Sequence, residues 1–210
     1  MKEFPSIINS SKAPRKSCVA FDKLDGSNIR VKYTAKKGFC LFGSRTQLID
    51  HTHPHLGEVV PIFMRDFAGP LTEIFEKKFP NEREILVFGE FLGEQSFAGI
   101  HVPGDLKRFV MFDVMVGHKN PKFMLPREFI KTFEGKVTIP RVIYEGNLSD
   151  QLIADVRGGK YGVNEGVICK GNERSGAFAG GVWMCKIKTE AYFQRLLNRF
   201  GTVGVTQHWE

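Results

Sequence analysis

Short β-rich runs, not helices, govern what this chain can fold into. Apolar or alternating stretches occupy Ser17 to Phe21, Ile29 to Thr34, Phe39 to Gly43, Ile85 to Phe91, Arg108 to Val116, Arg141 to Tyr144, Glu165 to Lys170 and Val182 to Lys188. Turns such as Lys36-Lys37-Gly38 separate several of them. Helical segments are fewer. Val59 to Phe79 has helical periodicity interrupted by Pro61 and by Gly69-Pro70, which predicts two pieces. Pro126-Arg127-Glu128 opens a short helix, and Ser149-Asp150 caps another that stops before Gly158-Gly159. Thr189 caps a last helix, with Tyr192, Leu196, Leu197 and Phe200 on its apolar side and Gly201 ending it. Many strands outside a βαβ rhythm predict an α+β fold of mainly antiparallel sheets with flanking helices. At 210 residues, with no repeat or linker, a single domain over 1–210 is expected.

No run of about 18 apolar residues exists, so no membrane partner is expected. Met1-Lys2-Glu3-Phe4-Pro5 lacks the apolar core of a signal peptide. Cys18, Cys40, Cys169 and Cys185 show no CxxC pairing and read as buried or half-buried free thiols, which suits a reducing, cytoplasmic setting. The net charge of +7 favours a polyanionic partner, because neutralising phosphates releases counterions.

Within this frame charged residues recur at strand ends. Lys23-Leu24-Asp25-Gly26-Ser27-Asn28 follows the apolar run Cys18 to Phe21, although Asp-Gly alone is also a common hairpin turn. Gly43-Ser44-Arg45-Thr46 ends a strand with an arginine. Glu90 lies inside the apolar run Val87 to Phe91, where an unpaired carboxylate would be costly. Phe112-Asp113 and Glu165-Gly166 each bring a carboxylate into a strand, and Lys186 and Lys188 share one strand face, with Ile187 opposite. Singly each has a bland reading: Glu90 a structural ion pair, Phe112 plain core, the lysine pair a solvated edge. Together they are the parts that nucleotidyl transfer needs.

The ordered set Lys23-Leu24-Asp25-Gly26, Gly89-Glu90, Phe112-Asp113, Glu165-Gly166 and Lys186-Ile187-Lys188 resembles the covalent nucleotidyltransferases, which comprise ATP-dependent DNA and RNA ligases and mRNA capping guanylyltransferases. Gly26-Ser27-Asn28, Ser44-Arg45-Thr46 and Phe88-Gly89-Glu90-Phe91 look most like the RNA ligase 2 group. The resemblance covers residues 17 to 188 and implies a nucleotidyltransferase (adenylation) domain that joins 3′-hydroxyl and 5′-phosphate ends of RNA, with DNA as the further candidate partner, typically at nicks.

It implies further that Lys23 attacks the α-phosphate of ATP to form lysyl-AMP, helped by Lys186 and Lys188, which would favour the neutral amine and stabilise charge on the phosphate. Glu165 would hold Mg²⁺ or Mn²⁺. Phe112 would stack on adenine, Glu90 would bind ribose, and Arg45 would contact phosphate. Ser27 and Asn28 match a pair that RNA ligases use in later steps. Asp25 stands where RNA ligase 2 proteins often have histidine. About twenty residues follow Lys188, so neither an OB-fold nor another C-terminal domain is expected. Lys12, Arg15 and Lys16 become candidate RNA phosphate contacts, with weak, salt-sensitive binding by a monomer. The alternatives are a minimal ATP-dependent DNA ligase, a capping guanylyltransferase (disfavoured because Asn28 stands where those enzymes have arginine) and a nucleic-acid-binding module without chemistry.

His51-Thr52-His53-Pro54-His55 lacks an obvious fourth metal ligand and reads as a surface loop. Gly171 to Gly176 lacks the strand-loop-helix context of a phosphate loop and reads as a hairpin connection, and Trp183 reads as packing.

Overall fold

The computed structural model describes residues 1–94 and 96–206, the side chains of 202–206 excepted. Its strands form two sheets. The first has the order β1 (Ile8–Asn9), β11 (Met184–Lys188), β10 (Gly166–Gly171), β2 (Ser17–Lys23), β9 (Val142–Asn147). The second has the order β5 (Leu48–Ile49), β4 (Gly38–Gly43), β3 (Ser27–Thr34), β6 (Ile85–Leu92), β7 (Arg108–Val116), β8 (Lys122–Phe123). Every described pairing is antiparallel except β1 with β11, so the expected α+β class with mainly antiparallel sheets is observed.

Period-two alternation sorts the side chains. On β2, Cys18 and Ala20 enter one core with Cys169, Cys185, Ile187 and the helix α4 (Asp150–Arg157) residues Leu152 and Val156. Val19 and Phe21 take the opposite face, and Lys23 follows them by parity. The same rule sends Val167 and Cys169 outward on β10 and leaves Lys170 facing inward. The helices α1 (Val59–Asp66), α2 (Ala68–Lys78) and α3 (Pro126–Phe133) share a core with β3, β6 and β7 of the second sheet and with Val19 and Phe21 of β2. Phe63 is the hinge of that core: its ring lies between 5.0 and 5.5 Å from those of Phe39, Phe42, Phe67 and Phe109. Truncating such a buried ring costs about 3–5 kcal/mol.

Helix limits follow local chemistry. The break between α1 and α2 falls at Phe67, and not at the prolines, because Pro61 and Pro70 sit in first turns where a missing N–H costs nothing. Ser149 Oγ accepts from Leu152 N at 3.1 Å, and Thr189 Oγ1 accepts from Tyr192 N at 3.0 Å, so both expected caps are present. Gly201, at φ 68°, interrupts α5 (Glu190–Thr206), and helix resumes after it instead of ending there. The strand expected at Arg141–Tyr144 runs from Val142 to Asn147, because Glu145 to Asn147 continue the pairing with Val19 to Ser17, and a bulge places Ile143 between the partners of Ala20 and Phe21. β1, β5 and β8, two residues each, are too short to register as sequence patterns.

Candidate active site

β2 and β3 belong to different sheets, so Leu24-Asp25-Gly26 is a crossover between them and not the hairpin that Asp-Gly alone suggests. The crossing is tight. A Cβ on Gly26 would lie 2.5 Å from Phe91 O and 2.8 Å from Leu92 Cδ2. Gly26 N donates to Glu90 Oε1 at 3.1 Å, which ties the turn to β6. Asp25 turns into the protein, where its buried Oδ2 accepts from Ala98 N at 2.9 Å.

Registry across the first sheet then assembles the lysines. Lys23, Gly166 and Lys188 form one row; Phe21, Ile168 and Lys186 form the next; Val19, Lys170 and Met184 the third. Gly166 leaves the middle of the first row empty, and a Cβ there would meet Ile187 O at 2.0 Å. Glu165 fills the gap from its own position: Oε1 lies 2.7 Å from Lys23 Nζ and 3.7 Å from Lys188 Nζ. Its other oxygen, Oε2, is buried with no hydrogen-bond partner. Tyr192 lies toward this carboxylate, and burial, with Glu165 and Asp25 nearby, pushes its hydroxyl far up, but no hydrogen bond of good geometry reaches Oε2. Burial holds Lys188 below the usual lysine range, with the neighbouring charge of Glu165 opposing and Lys23 and Lys186 reinforcing.

The second sheet supplies the opposite wall. Asn28 pairs with Glu90, and its Oδ1 is buried and unpartnered. Burial pushes Glu90 up to about 8, with Lys23 opposing and Glu165 adding to the rise. Phe112 owes its place to a bulge. Phe88 pairs with Asp113 and Gly89 with Met111, so Phe112 is the extra residue, and its ring turns toward the space between the sheets. Asp113 meets Lys170 there. Lys170 Nζ donates to Asp113 Oδ2 and to Phe112 O, both at 2.6 Å, and lies 5.0 Å from the Phe21 ring centroid and 5.7 Å from those of Phe112 and Phe129. Burial lowers Lys170 and raises Asp113 to about 6.

Between these walls lies a cavity of about 610 Å³, lined among others by Lys23, Ser27, Asn28, Arg45, Glu90, Phe112, Lys186 and Lys188. Thus residues 160 positions apart meet as the sequence expected. Asp25 and Glu165 do not line it: Asp25 faces Ala98, and Glu165 sits behind Lys23. Lys12, Arg15 and Lys16 also lie outside it. Arg15 bonds Asp150 at 2.7 Å, and seven-residue β2 separates Lys16 from Lys23 by about 20 Å.

Three features of the site escaped the sequence. Phe4, Pro5, Ser6 and Ile7 form a wall of the cavity, with the Phe4 ring edge-on to Phe112 at 5.1 Å and Ser6 Oγ 3.5 Å from the Arg45 guanidinium. Arg30 anchors that segment by donating to Met1 O at 2.8 Å. Lys170 is the second, and the aromatic rings under Lys188 are the third. The signal available in the sequence was Arg30, a charge inside the β-run Ile29 to Thr34.

Among the described residues no group of three or more His, Cys, Asp or Glu could hold a metal. The His51 to His55 segment is a hydrogen-bonded loop: His53 Nδ1 accepts from Leu56 N at 3.1 Å and from His55 N at 3.3 Å. His53 Nε2 faces the Gln47 side-chain amide at 2.9 Å. Gln47 closes the turn that carries Arg45. Trp183 is core packing over Gly171, and residues 172–183 connect the β10–β11 hairpin, both as expected. Cys18, Cys169 and Cys185 are buried free thiols and Cys40 is half-buried. No described helix is long and apolar enough to cross a membrane.

The chain is similar to known proteins over this region. No curated protein matches the chain. A Naegleria gruberi RNA ligase with pyrophosphate superposes with a TM-score of 0.66 at 16% identity, over 95% of this chain and 59% of that one. A variant of the Naegleria gruberi RNA ligase with AMP and Mn gives 0.63 at 16%, over 93% and 58%. An archaeal ATP-dependent RNA ligase gives 0.66 at 15%, over 95% and 51%. These likenesses establish the fold, and the chain spans between half and three fifths of the length of the solved relatives named here. The RNA ligase family profile matches residues 16–188, from the start of β2 to the last lysine of the site, and the protein belongs to the RNA ligase family.

Proposed function

We propose that residues 1–210 form the adenylating domain of an ATP-dependent RNA ligase that joins 3′-hydroxyl to 5′-phosphate ends. The observation that carries this reading is Lys23 Nζ on the cavity wall, 2.7 Å from Glu165, with Lys186 and Lys188 also lining that cavity. An amine with a free lone pair at Lys23 attacks the α-phosphorus of ATP. The P–N bond forms, the bond to the bridging oxygen of pyrophosphate breaks, and the lysine loses its proton. Lys186, Lys188 and Arg45 supply fixed positive charge where phosphate charge develops. Phe112 takes the adenine face and Glu90 the ribose. In the second step the 5′-phosphate of the polynucleotide displaces Lys23 from AMP; in the third the 3′-hydroxyl displaces AMP. Asn28, with an unpartnered buried Oδ1 in the cavity wall, suits a role in those later steps.

A divalent cation fits the site through the buried orphan Oε2 of Glu165, a hard oxygen donor, with phosphates and water completing its shell. Bound there, it would neutralise phosphate charge. Lys23 shields Glu165 while it remains paired, so its departure toward phosphate frees the carboxylate.

Matched nicks in RNA and DNA duplexes test the reading. RNA sealing with ATP and a divalent cation, steeply inhibited by salt, is expected. DNA-only sealing, or labelling by GTP and not ATP, would contradict it. Asn28→Ala should still form the protein–AMP adduct and seal at least about tenfold more slowly.

A further inference from the structure

The lysine that registry sets beside Lys23 rests on an aromatic floor. Lys188 is 7% exposed, and its one described ion-pair partner is Glu165 Oε1 at 3.7 Å. The Tyr192 ring centroid lies 4.9 Å from its Nζ and that of Phe193 5.9 Å. A ring face attracts an ammonium without occupying its N–H donors as a second carboxylate would, so the donors stay free for an oxyanion. Tyr192 is held firmly. Its backbone N–H is capped by Thr189 Oγ1, its side chain is 2% exposed, and it packs with Ala98 and Leu196. Ala98 N is in turn held by Asp25, two residues beyond Lys23. Nucleophile turn, loop and α5 therefore close a ring of contacts around Lys188.

We propose that Tyr192 is a positioning residue for adenylation: its ring keeps Lys188 charged, dry and aimed at the α-phosphate of the bound nucleotide. The inference rests on the function proposed above. It assigns Asp25 and the segment around Ala98 a shared purpose, support of that ring.

Single-turnover formation of the protein–AMP adduct in the full chain, read as rate constant and KM for ATP, tests it. Tyr192→Phe keeps the ring and is expected to match wild type within about twofold. Tyr192→Leu is expected to lower the rate constant about tenfold or more with KM unchanged, since Lys188 acts on charge that develops in the transition state. Leu196→Ala, buried in the same cluster but carrying no ring, controls for packing: it should lower the melting temperature comparably and leave the rate constant alone. In a Lys188→Met background, Tyr192→Leu should add nothing. A wild-type rate in Tyr192→Leu, an equal loss in Leu196→Ala, or a further loss in the Lys188→Met background would overturn the proposal. Failure of wild type itself to form an adduct would overturn the functional reading beneath it.

Discussion

Lys170 and Lys23 each pair with a buried carboxylate, Asp113 and Glu165, at 2.6 Å and 2.7 Å. What surrounds the two pairs differs. Lys170 is 5% exposed, donates to two oxygens and is caged by three phenylalanine rings. Lys23 is 24% exposed on a cavity wall, and its carboxylate serves two lysines with one oxygen and leaves the other unpartnered. A satisfied pair holds shape; an incomplete one is ready to exchange partners. The sealed pair also has a job beside the open one, because it sits on the bulge that aims Phe112.

That contrast breaks first at Glu165. Glu165→Gln should slow adduct formation at least about 100-fold and cost less stability than loss of the Asp113 charge, because Lys23, 24% exposed, can turn to water while only Lys188 is left buried without its ion-pair partner. Thermal melts and adduct kinetics decide; a large loss of stability with intact chemistry would reverse the roles of the two pairs. Asp113→Asn should cost about 3–5 kcal/mol by leaving a buried ammonium uncompensated. Its effect on adenylation is expected in KM for ATP, through Phe112. An unchanged melting temperature would show that this pair is not structural.

Phe112→Ala should raise KM for ATP about tenfold, the scale of one base–aromatic stack. Titration binding measures it. Smallest is a pH effect at Glu90. Its folded pKa, about 8, is raised above the unfolded value, so its contribution to stability is present below about pH 4.5 and lost as pH rises through 8. Glu90→Gln should therefore gain stability relative to wild type on going from pH 5 to pH 8.5, by about 1 kcal/mol given an open cavity beside it. Parallel melts that show no such gain would remove Glu90 from the buried charge network.

Much of the cluster around Lys23 was legible in the sequence because each member ends or enters a strand whose parity fixes its face. Lys23, Lys186 and Lys188 follow from period two, and Glu165 from the glycine after it. The sealed pair was not legible. Asp113 and Lys170 lie 57 positions apart, and Lys170 reads as the charged end of a β-run until registry places it opposite Val19. Nor could the Phe112 bulge be read, because one extra residue leaves the alternation intact on either side. Phe4 to Ile7 carries no pattern in the sequence, and the two-residue strand Ile8–Asn9 that follows is too short to supply one. Tyr192 was read correctly as apolar helix face, but what it faces depends on tertiary structure. Lys12, Arg15 and Lys16, near Lys23 in sequence, lie outside the cavity, separated from it by the length of β2 or by the fold.

The most direct measurement is peptide mapping by mass spectrometry after incubation with ATP and magnesium. The account predicts one AMP per chain, carried by Lys23, none on Lys170, and no adduct in Lys23→Ala. An adduct on any other lysine, or one that persists at full level in Lys23→Ala, would contradict it.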